Sequence, residues 1–238
     1  MAEFRFYAEL GDFLPLRHRG RSFEHAVAGH QSVKHAIEAL GVPHTEVGLL
    51  LINGQAASLD SRIQAGDRVS VLPVLLRLMP PRQGNDRFIA DAHLGRLARY
   101  LRFAGVDTRW RNAWSDADLV KIACSEERVV LTRDRDLLMH RALGAGCYLR
   151  DKRPLAQLAE VARRYSLDLV GEKTSRCLEC NEVLESVSKP EVAGRLQPGT
   201  VSAFDEFWRC RECGRVFWRG SHWKRMRQAL ADVARELG

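Results

Sequence analysis

Two kinds of residue in this 238-residue chain have the types and spacing to do chemistry. The first is a set of carboxylates that follow short apolar runs. Asp91 comes directly after Phe88-Ile89-Ala90, and Asp134 and Asp136 follow Val129-Val130-Leu131-Thr132. Asp116 and Asp118 open a stretch with helical spacing. Carboxylates gathered in one cleft repel and raise one another's pKa unless a cation neutralises them. The hard ions Mg²⁺ and Mn²⁺ take oxygen ligands and retain waters, and in nucleases they activate water and steady the leaving oxygen. A plainer use is also open: Asp134 and Asp136 could cap a helix or pair with Arg133, Arg135 or Arg141.

The second kind is sulfur. Cys177-Leu178-Glu179-Cys180 and Cys210-Arg211-Glu212-Cys213 are two CxxC knuckles. Four thiolates bind Zn²⁺ tetrahedrally and leave no open position for water, so the metal would be structural. Cys124 and Cys147 lie in apolar segments and read as core. After the second knuckle, Phe217, Trp218, His222, Trp223, Lys224 and Arg225 interleave rings with cations, a combination able to stack on unpaired bases and touch phosphate. Trp218 reads better as packing than as a stacking platform, and four cysteines leave no need for His222 as a ligand.

The elements that must position these groups fall into three regions. Residues 1–78 read as strand, helix over about 32–40, hairpin at Asn53-Gly54 and closing strand, a small α+β sheet. Met79 to Asp86 carries the prolines and glycine of a linker. Over 87–171, strands alternate with helices: Leu94, Leu97, Ala98 and Leu101 recur at helical spacing until Gly105, and Val106–Trp110 reads as a strand. Ser115 caps a helix with Leu119, Ile122 and Ala123 inward, and further strands cover 128–132 and 146–149. That alternation argues for a parallel sheet with helices on both faces, whose sites form beyond the carboxyl ends of the strands. Asp91, Asp116 and Asp134 then face one edge. Residues 172–238 hold the cysteines and a final helix.

The net charge of +7 is uneven. Residues 1–80 carry eight basic and eight acidic side chains, 81–171 seventeen against twelve, and 172–238 twelve against ten. The later regions therefore suit a polyanion such as RNA. Arg96, Arg99 and Arg102 repeat every third residue, opposite the leucines, where they could line an RNA groove. Arg133 and Arg135 stand nearer the acids and suit the scissile phosphate. His93 is not needed as a base where a metal activates water. No apolar run is long enough for a membrane span, the N-terminus has no secretory pattern, and CxxC usage fits a reduced, cytoplasmic protein.

Two resemblances rest on these segments. Ile52-Asn53-Gly54 and Gly66 to Pro73 resemble the ubiquitin-like β-grasp proteins, especially their sulfur carriers. Carriers need a free C-terminal Gly-Gly, which this chain does not present after its β-grasp segment, so carrier chemistry is excluded. FIADAHLGRLARYLRFAGVDT, SDADL, RVVLTRDRDL, RCLECN and FWRCRECGRVFWRGSHWKRM, over about residues 86–227, are similar to the Mut-seven-C family of PIN-like ribonucleases, in which the β-grasp segment is an N-terminal companion. This implies a PIN-like α/β/α fold and metal-dependent RNA cleavage, with matching acids at Asp91, Asp116, Asp134 and Asp136; Asp118 could replace Asp116. Arg96, Arg133, Arg135, Trp223 and Lys224 are the expected RNA contacts, and the β-grasp domain would serve a protein or ribosomal partner. The rival reading is a non-catalytic RNA-binding or ribosome-associated adaptor; DNA cleavage by the same metal chemistry is a third.

Overall fold

A computed structural model describes residues 1–74, 87–171 and 175–238; the linker expected at 79–86 lies outside them. The elements begin with β1 (Ala2–Phe6), β2 (Ser22–His25), α1 (Val33–Ala39), β3 (Val47–Ile52), β4 (Gln55–Ala56) and β5 (Arg68–Pro73). Then come β6 (Phe88–Ala90), α2 (Gly95–Phe103), β7 (Thr108–Arg109), α3 (Asp116–Ser125), β8 (Val129–Thr132), α4 (Arg135–Leu138), β9 (Gly146–Tyr148) and α5 (Pro154–Tyr165). The last are β10 (Leu184–Val187), α6 (Lys189–Ala193), α7 (Pro198–Ala203), β11 (Phe207–Cys210), β12 (Val216–Trp218) and α8 (Ser221–Leu237). Two compact units form, each from separate stretches of chain: Met1–Gly84 with Asp116–Tyr148, and Asn85–Ser115 with Leu149–Gly238. No helix of the described residues is long and apolar enough to cross a membrane.

In the first unit the N-terminal sheet has the order β2-β1-β5-β3-β4, with β1 and β5 parallel and the other pairs antiparallel. Alternation decides its buried face: Ala2, Phe4 and Phe6 point inward with Val69 and Val71, and α1 lays Val33, Ala36 and Ile37 over them. Burying rings such as Phe4 and Phe6 stabilises by roughly 1.5–3 kcal/mol each. Ser32 caps α1 by accepting from the His35 amide. The hairpin between β3 and β4 turns on Asn53 and Gly54, both at positive φ (52° and 81°), as the dipeptide predicts. The Asn53 side chain ties the turn to Asp67 and the Arg68 amide. This is a ubiquitin-like fold.

The same unit contains β8 and β9, which pair in parallel with Val130 opposite Gly146 and Thr132 opposite Tyr148. Every residue of β8 is buried, as a strand covered on both faces must be. Helix α3 buries Leu119, Val120 and Ala123, whereas Ile122 is only half-buried. Cys124, expected in the core, is exposed: it lies one residue, about 100°, around the helix from the inward Ala123. Cys147 is buried as expected.

In the second unit β6 and β7 pair in parallel, Phe88 opposite Thr108, and the expected strand over Val106–Trp110 contracts to two residues. Helix α2 buries Leu97, Ala98 and Leu101, and Gly105 ends the turn after it at φ 80°. Strands β10, β11 and β12 form an antiparallel ribbon, and helices α5 and α8 complete the unit. The chain thus combines a ubiquitin-like domain, a middle α/β region of parallel strands and a C-terminal four-cysteine cluster.

Candidate functional site

The acids of the first unit sit at helix starts. Asp116 and Asp118 occupy the first turn of α3, both exposed, where unpaired amides favour negative charge. At the end of β8, the Thr132 hydroxyl accepts from the Asp134 amide at 2.9 Å, which turns the chain out of the strand. Asp134 is then the N-cap of α4: its Oδ1 accepts from the amides of Asp136 at 2.8 Å and Leu137 at 3.4 Å. The capping role open in the sequence is therefore real for Oδ1 of Asp134. Arg133, Arg135 and Asp136 are exposed beside it. Neither arginine is paired with a carboxylate among the described residues.

In the second unit Asp91 follows β6 directly and is the N-cap of the 3₁₀ turn Ala92–Leu94, half-buried and with no capping bond from its side chain. Arg96 and Arg99 are exposed on α2, and so is His93. Arg102 departs from the expected groove. It is 1 % exposed, and its guanidinium donates to four carbonyls: Thr108 at 2.8 Å, Leu178 at 2.8 Å, Glu179 at 3.0 Å and Trp110 at 3.3 Å. The reason is helical. A step of three residues falls about 60° short of a full turn, so Arg102 lies about 120° around the axis from Arg96, on the packed side. Burial pulls its pKa below the usual guanidinium range, opposed by Cys177, Cys180, Glu179 and Asp107.

Arg102 thereby grips the first knuckle. Cys177, Cys180, Cys210 and Cys213 bring their sulfurs within 4.8 Å of one another, with Cys177 and Cys213 at 3.6 Å and Cys180 and Cys210 at 3.3 Å. A tetrahedral zinc site with ~2.3 Å bonds needs sulfurs ~3.8 Å apart, so the set fits. Asn181 and Gly214, at φ 72° and 69°, let each knuckle turn back on itself. Burial raises the thiol pKa values of Cys177, Cys180 and Cys210. At Cys213 burial also pushes upward, but hydrogen bonds from the Arg215 amide and the other cysteines prevail and lower it. Among the described residues this is the one group of three or more His, Cys, Asp or Glu side chains compact enough to hold a metal ion.

Beside the ribbon lies a cleft of about 750 Å³ lined by Phe103, Trp208, Trp218, Arg219 and Trp223, among others. Trp223 meets Phe103 edge-on at 6.0 Å, so it packs on α2 while remaining half-buried. The Arg219 guanidinium stands 5.2 Å from the Trp208 ring and 5.5 Å from Trp223. Trp218 has Phe204 at 6.5 Å, and Lys224 is exposed. Arg102 and the buried turn at His44–Glu46 escaped the sequence reading, because an isolated polar residue carries no periodic signal of burial.

A family model described as the Mut7-C RNAse domain matches residues 86–230, more than half of the chain. The chain belongs to the Mut7-C RNAse family. Its first 78 residues match the companion model described as Mut7-C ubiquitin. Membership places this Mut7-C RNAse chain in a nuclease or RNA-related class. Similar solved structures include SAMP1 from Haloferax volcanii, at 24 % identity and TM-score 0.25, covering 30 % of this chain and 92 % of that one. A second structure of the H. volcanii small archaeal modifier protein 1 has the same identity and score, with 94 % of that chain covered. No curated protein matches the chain.

Proposed function

We propose that this Mut7-C RNAse chain hydrolyses RNA phosphodiester bonds, with Mg²⁺ or Mn²⁺ as the ion that would draw together the carboxylates of Asp91, Asp116, Asp134 and Asp136. The observation that carries the reading is the family match over 86–230, which falls on a parallel α/β region whose acids follow its strands. A bound divalent ion would supply an activated water and charge stabilisation at the leaving oxygen. The chain's own contribution is orientation. Oδ1 of Asp134 is fixed by two amides, and the exposed Arg133 and Arg135 would hold phosphate oxygens. Arg96, Trp223 and Lys224 extend the contact surface for RNA. Asp118 stands two residues beyond Asp116 in the first turn of the same helix and is the substitute ligand.

Zinc on the four cysteines is structural in this reading, and domains at 1–78, 87–171 and 172–238 work together in the cytoplasm. The non-catalytic adaptor draws support from one observation, that Asp134 already serves as a helix cap. Asp134→Asn separates the two, because asparagine caps as well as aspartate but lacks the charge. Labelled single-stranded and hairpin RNA is incubated with parent and variant in Mn²⁺, Mg²⁺ or EDTA. Cleavage that needs the ion and drops at least ~100-fold in a variant of unchanged stability supports the nuclease. RNA binding without cleavage in the parent supports the adaptor.

A further inference from the structure

The turn His44-Thr45-Glu46 belongs to the ubiquitin-like fold, yet its three residues are 6 %, 6 % and 1 % exposed and their side chains serve groups elsewhere in the chain. Thr45 Oγ1 donates to the Leu138 carbonyl at 3.2 Å. His44 Nε2 lies 2.9 Å from the Leu143 carbonyl, while its Nδ1 is 2.7 Å from Glu38 Oε1. Glu46 Oε1 accepts from the Tyr148 amide at 2.6 Å. Phe13 meets the Tyr148 ring edge-on at 5.1 Å. Gly146 keeps the approach open: a Cβ there would stand 2.4 Å from Leu138 Cδ2 and 3.1 Å from Thr45 Oγ1.

Each group served is one that its own element leaves unsatisfied. Leu138 ends α4, and the last carbonyls of a helix have no partner within it. Leu143 lies in the connection to β9. Tyr148 closes β9, a strand at the edge of its sheet whose outward amides need an acceptor. Leaving such a group buried and unpaired is costly. Three consecutive side chains of the N-terminal domain thus supply hydrogen bonds to three backbone groups of the segment 138–148. That segment continues directly from Asp134 and Asp136. Both acids remain exposed, so the docked domain braces their helix without covering them.

We propose that the ubiquitin-like domain acts in cis, as a brace that holds α4 and β9 and so positions Asp134 and Asp136, with His44, Thr45 and Glu46 as positioning residues. This face is occupied by the chain itself, so a protein partner would have to use another. The positional role rests on the nuclease reading given above; the brace itself does not.

The test uses the full chain with Thr45→Val, which removes the hydroxyl at nearly constant volume, Glu46→Ala, and Thr45→Ser as the variant that retains the bond. Amide hydrogen exchange of 138–148 is read alongside RNA cleavage kinetics. Thr45→Val and Glu46→Ala should speed exchange in that segment roughly tenfold. They should lower kcat about fivefold or more with little change in KM, and Thr45→Ser should restore both. If either variant fails to fold, Glu46→Gln, which keeps an acceptor of the same size, takes its place and should give a smaller change in the same direction. Unchanged exchange at 138–148 in every folded variant overturns the brace. Faster exchange with unchanged kcat overturns the positional role. A parent chain that cleaves no RNA overturns the nuclease reading, while the exchange result still decides the brace.

Discussion

Replacing Arg102 with leucine removes one guanidinium that ties four buried carbonyls, two near β7 and two in the first cysteine knuckle. Hydrogen bonds from a charged donor are worth roughly 1.5–3 kcal/mol each. The sum overstates the effect, because leucine also relieves the cost of burying the cation, whose lowered pKa reflects that burial. Breaking a buried charged network by removing one partner costs about 3–5 kcal/mol, and that is the expected loss here. The assay is urea unfolding of the zinc-loaded full chain followed by tryptophan fluorescence, together with the rate at which a chromogenic chelator extracts the metal. Both readouts should move, since the same side chain grips Leu178 and Glu179, the two residues between the first pair of cysteines, and extraction should quicken at least ~10-fold. Arg102→Lys should fall short of rescue: an ammonium gathers its donors on one atom and cannot span four carbonyls. A leucine variant within ~1 kcal/mol of the parent that also releases zinc at the parental rate would refute the reasoning.

Removing zinc should unfold the ribbon β10–β12 first, because Cys177, Cys210 and Leu184 are nearly all of its small core; the expected outcome is loss of tryptophan ellipticity with the ubiquitin-like domain intact by hydrogen exchange. Asp151 sits beside Arg153, whose hydrogen bonds hold its carboxyl pKa down to about 2. A carboxylate depressed in the folded state stabilises above its unfolded pKa, and that contribution disappears as pH falls toward 2; carboxyl NMR titration should place the midpoint there, and Arg153→Ala should return it toward the ordinary range. Gly95→Ala should destabilise by about 1–3 kcal/mol in thermal unfolding, since the new Cβ would meet the Trp110 ring at 2.5 Å while that ring is held by Nε1 donating to Ala92.

The elements were legible where a single period governed a segment. Leu97, Ala98 and Leu101 declared α2, the run Val129–Thr132 declared a strand covered on both faces, and Asn53-Gly54 declared its hairpin. The insertion between the knuckles was not legible: β10, α6 and α7 are short, and Ser188 and Glu191 form a capping box too local to stand out beforehand. Cys124 and Arg102 were misplaced for one reason. Burial on a helix turns on an angle, and a step of one or three residues moves a side chain across the boundary between packed and solvated faces.

The sequence by itself determined the ubiquitin-like and α/β elements, the family, and the sulfur set, because CxxC turns and strand or helix periods are local rules that each segment obeys alone. Only the tertiary structure decided which polar groups would be enclosed. It chose Arg102 to join the knuckle to β7, and His44, Thr45 and Glu46 to satisfy a helix end and a strand edge some hundred residues onward. The physical reason is that an unsatisfied carbonyl or amide becomes costly only once packing has excluded water from it, and which groups lose their water is settled by contacts between distant segments.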